Sequence, residues 1–419
     1  MKEILIKEYN NTEILRKGYK EPTNSFITHF TNGPFCEIKG PLEGKYKVVF
    51  TDNRTGKIHH SSEITNNMWT KSSLEYFVDW NIKIYDLSIN EIVFEHNYNA
   101  ENKRVYIHMG SSAVGDTLAW FPYIDEFQKK HNCEMICSTF HNDWFESKYP
   151  NIKFVKPGTP VENLYAMYNI GWFYDDKKVV TTKIPIDFKK FPLQQTSSSI
   201  LGLDYEEIKP IVSVPDEPSR FDGKYVVIAP HASAHAKYWN TPGGWQKVVD
   251  YLNDKGYKVV MITSEKLNDP WHDSKLGGTL TGVIDKTGGH IDLNDRMIDI
   301  KHADAFIGLG SGLSWISWAI GTPTVLISGF SKPLSEFNDC ERVFTPNENT
   351  CNGCFNREWL NPGDWEWCPD HKDTDRHFEC SKTITIDQVI ESVDKALSRK
   401  NKTIEPVKKE TKRLFGKFF

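Results

Sequence analysis

Residues 304–323 read DAFIGLGSGLSWISWAIGTP, and the order of residue types in that stretch decides the fold class. A short apolar strand runs into a glycine-rich turn, and a helical pattern, SGLSWISWAIG, follows within a few residues. Gly308, Gly310 and Gly312 let the backbone come close to a ligand. The helix start around Leu313 and Ser314 offers free N–H groups to a pyrophosphate. No Gly-Lys-Ser/Thr follows the glycines, so the turn is not a Walker A loop.

Working outward, strand and helix patterns alternate on both sides of this turn. Upstream lie the strand KYVVIAPH, the helix GGWQKVVDYLNDKG closed by Gly256, the strand YKVVMITS and the helix LNDRMIDIKHA. Downstream lie the strand TPTVLISG, a Cys-rich insertion at 349–382, and a last helix, TIDQVIESVDKALSRK. Such alternation predicts a doubly wound parallel sheet over 224–398. The pattern occurs a second time over 103–215. There RVYIHMG runs into a loop, DTLAWFPYIDEFQKKH has helical spacing, EMICSTF and IKFVKP are strands, and DWFESKYP is helix-like. The Pro-containing stretch VSVPDEPSRFDGK reads as the linker between the halves. Two Rossmann-like halves facing a cleft make an α/β architecture of the GT-B type, with ligands expected at the C-terminal ends of the strands.

Residues 1–102 differ. Short alternating runs such as KYKVVF (45–50) and IKIY (82–85), punctuated by turn residues, predict an antiparallel β module. It carries no catalytic motif and suits docking or oligomerisation. The tail, 399–419, is basic and expected to be solvated.

Composition narrows the function classes. At 419 residues the chain can bury two or three cores. A formal net charge of −5 gives no basic field for nucleic acid. The opening residues MKEILIKEYNN contain no apolar core of a signal peptide. No run approaches the ~20 apolar residues of a membrane helix. A cytoplasmic location follows as the expectation, with thiols reduced. The 13 Trp and 17 Tyr suit sugar stacking or interfaces, although most are expected in cores.

Four of the eight cysteines crowd one segment. Cys351 and Cys354 form a C-x2-C pair, Cys368 follows after thirteen residues and Cys380 after eleven more. Four soft thiolates suit a tetrahedral Zn²⁺ or iron site, structural because the protein supplies every ligand. The polar intervening stretch NPGDWEWCPDHKD has too few apolar residues for a core of its own, so a metal would stabilise it. His371 and His377 lie in the same segment as substitute ligands. Cys36, Cys133, Cys137 and Cys340 read as small apolar residues.

Three segments carry the chemistry. Asp116 follows the loop after RVYIHMG, at a helix start where a carboxylate stays ionised; it is either a functional base or a simple cap. Lys237, in the loop APHASAHAKYWNTPGGW, could neutralise charge on a departing phosphate. Trp239 and Trp245 in that loop pack on ligand or core, and His231 and His235 are weaker candidates. Residues 310–314 form the third segment. Thr263, at the end of YKVVMITS, is counted with the donor side.

Together these segments resemble the ADP-heptose:glycosyltransferase family that includes the lipopolysaccharide heptosyltransferases, and more closely the bacterial autotransporter heptosyltransferases. The resemblance runs from about residue 104 to the last helix. It rests on the GD-T/V-L…P pattern around Asp116, the K-x-W of Lys237 and Trp239, and the S/T-G-L of Ser311, Gly312 and Leu313. The tetracysteine finger narrows it to the autotransporter branch.

The resemblance implies inverting transfer of heptose from ADP-heptose to Ser hydroxyls of an autotransporter adhesin, with Asp116 as general base. It implies that Lys237, Trp239, Thr263, Gly310, Ser311, Gly312, Leu313 and Ser314 hold the donor without a divalent cation. It also implies iron in the finger, with zinc as the alternative, and a large ring-like homo-oligomer, a dodecamer. Lipopolysaccharide enzymes usually carry Asp and His where this chain has Gly310 and Trp315, a departure that weakens lipopolysaccharide as acceptor. Transfer to another glycan and a non-catalytic interaction role are the alternative readings.

Overall fold

The computed structural model describes residues 24–289, 292–359, 366 and 368–403. The β/α alternation from residue 224 onward builds a six-stranded parallel sheet. Its spatial order is Ile284–Asp285, Lys258–Met261, Tyr225–Ala229, Ala305–Leu309, Thr324–Ile327 and Glu341–Val343. Counted along the chain within this half, that order is 3-2-1-4-5-6, the doubly wound arrangement. The two central strands, YVVIA and AFIGL, are buried along their whole length. Helices cover both of their faces, which is why each reads as an unbroken apolar run. Val227 lies opposite Phe306, so the first and fourth strands are neighbours. The connections leaving them go to opposite sides of the sheet, and a crevice opens between.

The first half repeats the device. Ile152–Phe154, Glu134–Ser138, Arg104–Met109 and Ala166–Ile170 are parallel in the order 3-2-1-4. This sheet continues into the N-terminal region, because Ser25–Thr31 runs parallel to Ala166–Ile170 with Phe30 opposite Ala166. Phe35–Lys39 and Met68–Lys71 extend it in antiparallel fashion. The remaining N-terminal strands, Ile58–Thr65, Lys45–Asp52, Trp80–Asp86 and Glu91–Asn97, form a separate antiparallel sheet. KYKVVF and IKIY sit in its two middle strands. Parallel pairing of strands so far apart in sequence leaves no local trace, since alternation reads the same whichever partner a strand takes.

Two helical segments differ from expectation. Residues 116–131, which read as one helical stretch, form two helices, Val114–Trp120 and Pro122–His131. Pro122 has no N–H to continue the ladder and starts a new helix at its first position. DWFESKYP holds only a single 3-10 turn, Asn142–Trp144, followed by hydrogen-bonded turns. The last helix runs Ile386–Thr403, and the basic tail beyond it lies outside the described residues, as do residues 1–23. Cys36, Cys133, Cys137 and Cys340 are buried and unpaired, the small apolar role expected of them. Among the described residues no helix is long and apolar enough to cross a membrane.

The halves touch where their site helices begin. A Cβ placed on Gly312 would lie 2.7 Å from the Val114 Cβ, and one on Gly115 would lie 3.0 Å from Trp315 Cδ1. The Val114 Cβ is fixed to its backbone and cannot swing aside. Gly312→Ala is therefore expected to push the two helix starts apart and destabilise the protein by about 1–3 kcal/mol, the usual scale of overpacking. Urea or thermal unfolding reads this directly. An unchanged midpoint would mean that the halves part freely.

Candidate active site

Both crevices open onto one cleft of about 700 Å³. On the first-half wall, Asp116 stands in the first turn of Val114–Trp120. Ala113 is the residue before that helix, and no side chain caps it, so Asp116 is not a cap. Its carboxylate is instead held from two loops. Ser111 Oγ donates to Oδ2 at 2.5 Å, and the Trp172 indole Nε1–H donates to the same oxygen at 2.7 Å. Oδ1 carries no hydrogen bond among the described residues, so one carboxylate oxygen remains to receive a proton. Asp116 is 8% exposed. Burial pushes its carboxyl above the usual range, while Ser111, Trp172 and the Lys237 charge pull it back down.

Sheet topology explains why these groups meet. Asp116 follows the first strand of its half and Trp172 the fourth, and those neighbouring strands mark the switch point. Trp172 is a site residue that no sequence motif marks. Its place just beyond the C-terminal end of Ala166–Ile170 is the one signal it carries, and that signal has meaning only once the strand's neighbour is known.

The opposite wall comes from the equivalent loops of the second half. Lys237 closes the turn His235–Lys237, with Nζ 3.4 Å from Ser233 Oγ. Burial lowers its pKa, and Glu336 and Asp116 raise it, so the lysine and the buried carboxylate sense each other across the cleft. Gly310, Ser311, Gly312 and Leu313 line the same wall at the start of Gly312–Ile320. Among the described residues the buried Ser311 hydroxyl has no hydrogen-bond partner, and it lies beside the free N–H groups of that helix end. Thr263 also lines the cleft, donating to Glu265 O at 2.8 Å with His231 Nδ1 at 3.3 Å.

Two residues expected at the donor are elsewhere. Ser314 is fully buried and donates its hydroxyl to Leu309 O at 2.5 Å, tying the turn to its strand. Trp239 is buried in the core and its indole N–H donates to Ile384 O at 3.0 Å. Trp245 is likewise core, and His235 packs on Phe378 at 4.6 Å between ring centres. The tryptophan of K-x-W therefore anchors the loop that carries Lys237.

Glu336 is a cleft residue with no sequence signal. It accepts from Ser331 Oγ at 2.5 Å and from Arg342 Nη1 at 3.0 Å. A Cβ on Gly310 would lie 2.9 Å from Glu336 Oε1. Gly310, lacking a side chain, thus leaves room for a carboxylate supplied from another loop.

The Cys-rich segment is part of this architecture. Phe355, Glu358 and Trp359 line the cleft, on and just after the short helix Cys354–Arg357. Asn356 binds it down, donating to Lys189 O at 2.8 Å and accepting from Lys332 N at 2.8 Å. Among the described residues, Cys351 is the one thiol of the four that belongs to a group of potential ligand atoms close enough to share an ion. Burial first, and then Cys354, Cys351 and Cys368, push the Cys380 thiol well above its ordinary range. Ligand atoms of Cys351, His371 and Glu379 lie within 4.8 Å of one another. Glu379 is already engaged, accepting from Arg376 Nε at 2.6 Å and from Cys351 N at 3.0 Å, and its carboxyl is held down near 2. Four cysteines in one segment supply the soft donors that suit iron or zinc. Residues 360–365 and 367, in the middle of the finger, lie outside the described residues.

Known proteins resemble the chain at both levels. The model of Glycosyltransferase family 9 (heptosyltransferase) matches residues 177–357. The autotransporter heptosyltransferase BAHTCr of Citrobacter rodentium is 37% identical over 83% of this chain and 84% of its own. The crystal structure of TibC from enterotoxigenic Escherichia coli, an iron-containing dodecameric glycosyltransferase, superposes with a TM-score of 0.79 at 32% identity. That match covers 93% of this chain and 99% of TibC, and TibC has also been solved with ADP-D-β-D-heptose. A relative from Burkholderia thailandensis, BimC, is 31% identical over 84% of this chain and 82% of its own and is described as inactive. Turnover therefore depends on the side chains in the cleft.

Proposed function

The chain belongs to the autotransporter heptosyltransferase family, and from that membership and the cleft we propose that it transfers heptose from ADP-heptose to Ser hydroxyls of an autotransporter polypeptide with inversion. The observation that carries this reading is the pairing of one buried carboxylate, Asp116, with a cation and a helix start on the facing wall. The acceptor oxygen attacks the anomeric carbon on the face away from ADP. Its proton passes to Asp116, and the sugar–phosphate C–O bond breaks with its electron pair leaving on ADP. Lys237, the Ser311 hydroxyl and the N–H groups at Gly312 and Leu313 would receive the growing diphosphate charge. Thr263 and Gly310 belong to the same donor wall. Trp239 and Ser314 act behind it by fixing the loops.

Radiolabelled ADP-heptose offered with either an autotransporter fragment or lipopolysaccharide core tests the acceptor class. Label in the polypeptide is expected. Label confined to the lipid fraction would overturn the reading.

Cys351, Cys354, Cys368 and Cys380 would hold iron, a structural ion that fixes the segment carrying Phe355 and Trp359; zinc fits the same thiolates. Metal analysis of purified protein is expected to find close to one equivalent, and Cys380→Ser to lose it together with thermal stability. Less than about half an equivalent would count against the site. Thiolate ligands need reduced cysteines, which supports a cytoplasmic reaction, and TibC's dodecameric state supports a ring-like homo-oligomer here.

A further inference from the structure

A run of aromatic rings lines the cleft beside Asp116, and the transfer chemistry uses only the first of them. The indole of Trp172 donates to Asp116. Besides Trp120 at 5.7 Å, its ring meets Phe188 at 4.8 Å and Phe355 at 6.2 Å, the last two edge-on. Trp359 continues the surface, 5.7 Å from Phe188 and 5.3 Å from Tyr174. Lys189 Nζ sits 3.8 Å above the Trp359 ring. Trp172, Tyr174, Phe188, Phe355, Trp359 and Lys189 all line the cleft, and Tyr174 is 45% exposed at its rim.

We infer that this aromatic groove is the acceptor subsite and that it receives the polypeptide segment flanking the modified hydroxyl. The inference rests on the transferase reading above and adds where and how the acceptor is held. Position is the first reason. The groove begins at the ring that touches the base and opens into the same cleft as Lys237 and the glycine turn.

Chemistry is the second reason. Ring faces take up amide planes, Cα–H groups and small side chains without demanding one sequence, which suits an extended segment rich in small residues. Charge is the third. Lys189 is capped by Trp359 and offset by Asp187 and Glu358, which raise its pKa against the burial that lowers it. Lys190, beside it, pairs with Asp187 at 3.4 Å. Among the described residues the wall therefore offers no strong cationic patch to a phosphorylated glycan core, and a polypeptide is the favoured occupant.

The groove also gives the Cys-rich segment a role in the cleft. One side of it, residues 172–189, belongs to the first half, and the other, Phe355 and Trp359, to the start of the finger. The hydrogen bond from Asn356 Nδ2 to Lys189 O holds the two sides together.

Steady-state transfer to an autotransporter fragment, alongside direct measurement of ADP-heptose affinity, tests the inference with Trp359→Ala and Tyr174→Ala. Each is expected to raise the polypeptide KM by roughly tenfold or more, the scale of removing an aromatic anchor. ADP-heptose affinity should stay within about twofold, a split that general loss of structure would not produce. Tyr174 lies at the rim, so its variant keeps the test valid if Trp359→Ala fails to fold. Unchanged KM in both variants, or a parallel fall in donor affinity, would overturn the groove while leaving the transferase reading intact. Wild-type transfer to lipopolysaccharide core and none to polypeptide would overturn the acceptor class itself. A shift in oligomer mass with unchanged KM would mean that a second copy covers the rings.

Discussion

Replacing Asp116 by Asn is expected to reduce heptose transfer by at least ~10²-fold, the scale set by a positioned base, with little change in ADP-heptose affinity. The amide keeps the shape of the carboxylate and can still accept from Ser111 and Trp172, so the loss isolates the proton-accepting step. Stability should move the other way. Burial holds the folded carboxyl above its unfolded pKa. The stability that this shift contributes is complete below the unfolded pKa and is lost as pH rises through the folded one. At neutral pH the charged form therefore opposes folding, and Asp116→Asn should be at least as stable as the parent by urea denaturation. Activity in the parent should fall as pH drops through the raised pKa, because only the ionised carboxylate accepts a proton. Full transfer by Asp116→Asn would remove the residue from the chemistry and leave it a structural acceptor for Trp172.

Lys237→Met carries the second large effect, a fall of about 10²–10³-fold in kcat/KM, comparable to removing one preorganised group from a site of developing charge. A further signature accompanies it. The Lys237 charge favours the ionised form of Asp116, so its removal should raise the Asp116 pKa and move the acid limb of the pH–rate profile to higher pH. A slower enzyme with an unshifted limb would place Lys237 outside electrical contact with the base. The inactive relative BimC makes both variants informative, since family membership does not by itself confer turnover.

The local patterns around these residues are legible in the amino-acid sequence. Strand, glycine turn and helix at 304–323, and strand, loop and helix around Asp116, follow from periodicity and turn chemistry, which act over a few residues. The crowding of Cys351, Cys354, Cys368 and Cys380 is visible in the same way. Less legible is which polar residues face the cleft. Ser314 and Trp239 lie within the motifs, yet each donates its hydrogen bond to a backbone carbonyl, Leu309 O and Ile384 O. Motif membership registers that a position matters for the loop, and does not say which way its side chain points.

By itself, then, the sequence determined two β/α halves, one candidate base, one candidate cation, a phosphate-ready helix start and a cluster of four thiols, all properties of neighbours along the chain. Tertiary structure alone decided that Ser25–Thr31 joins the parallel sheet beside Ala166–Ile170 and that Trp172 reaches Asp116. It also brought Glu336 against Gly310 and the finger's Phe355 and Trp359 into the cleft. These are meetings between residues distant in sequence. Strand order and the close packing of the two helix starts set them, and neither leaves a periodic or compositional mark on the segments it brings together.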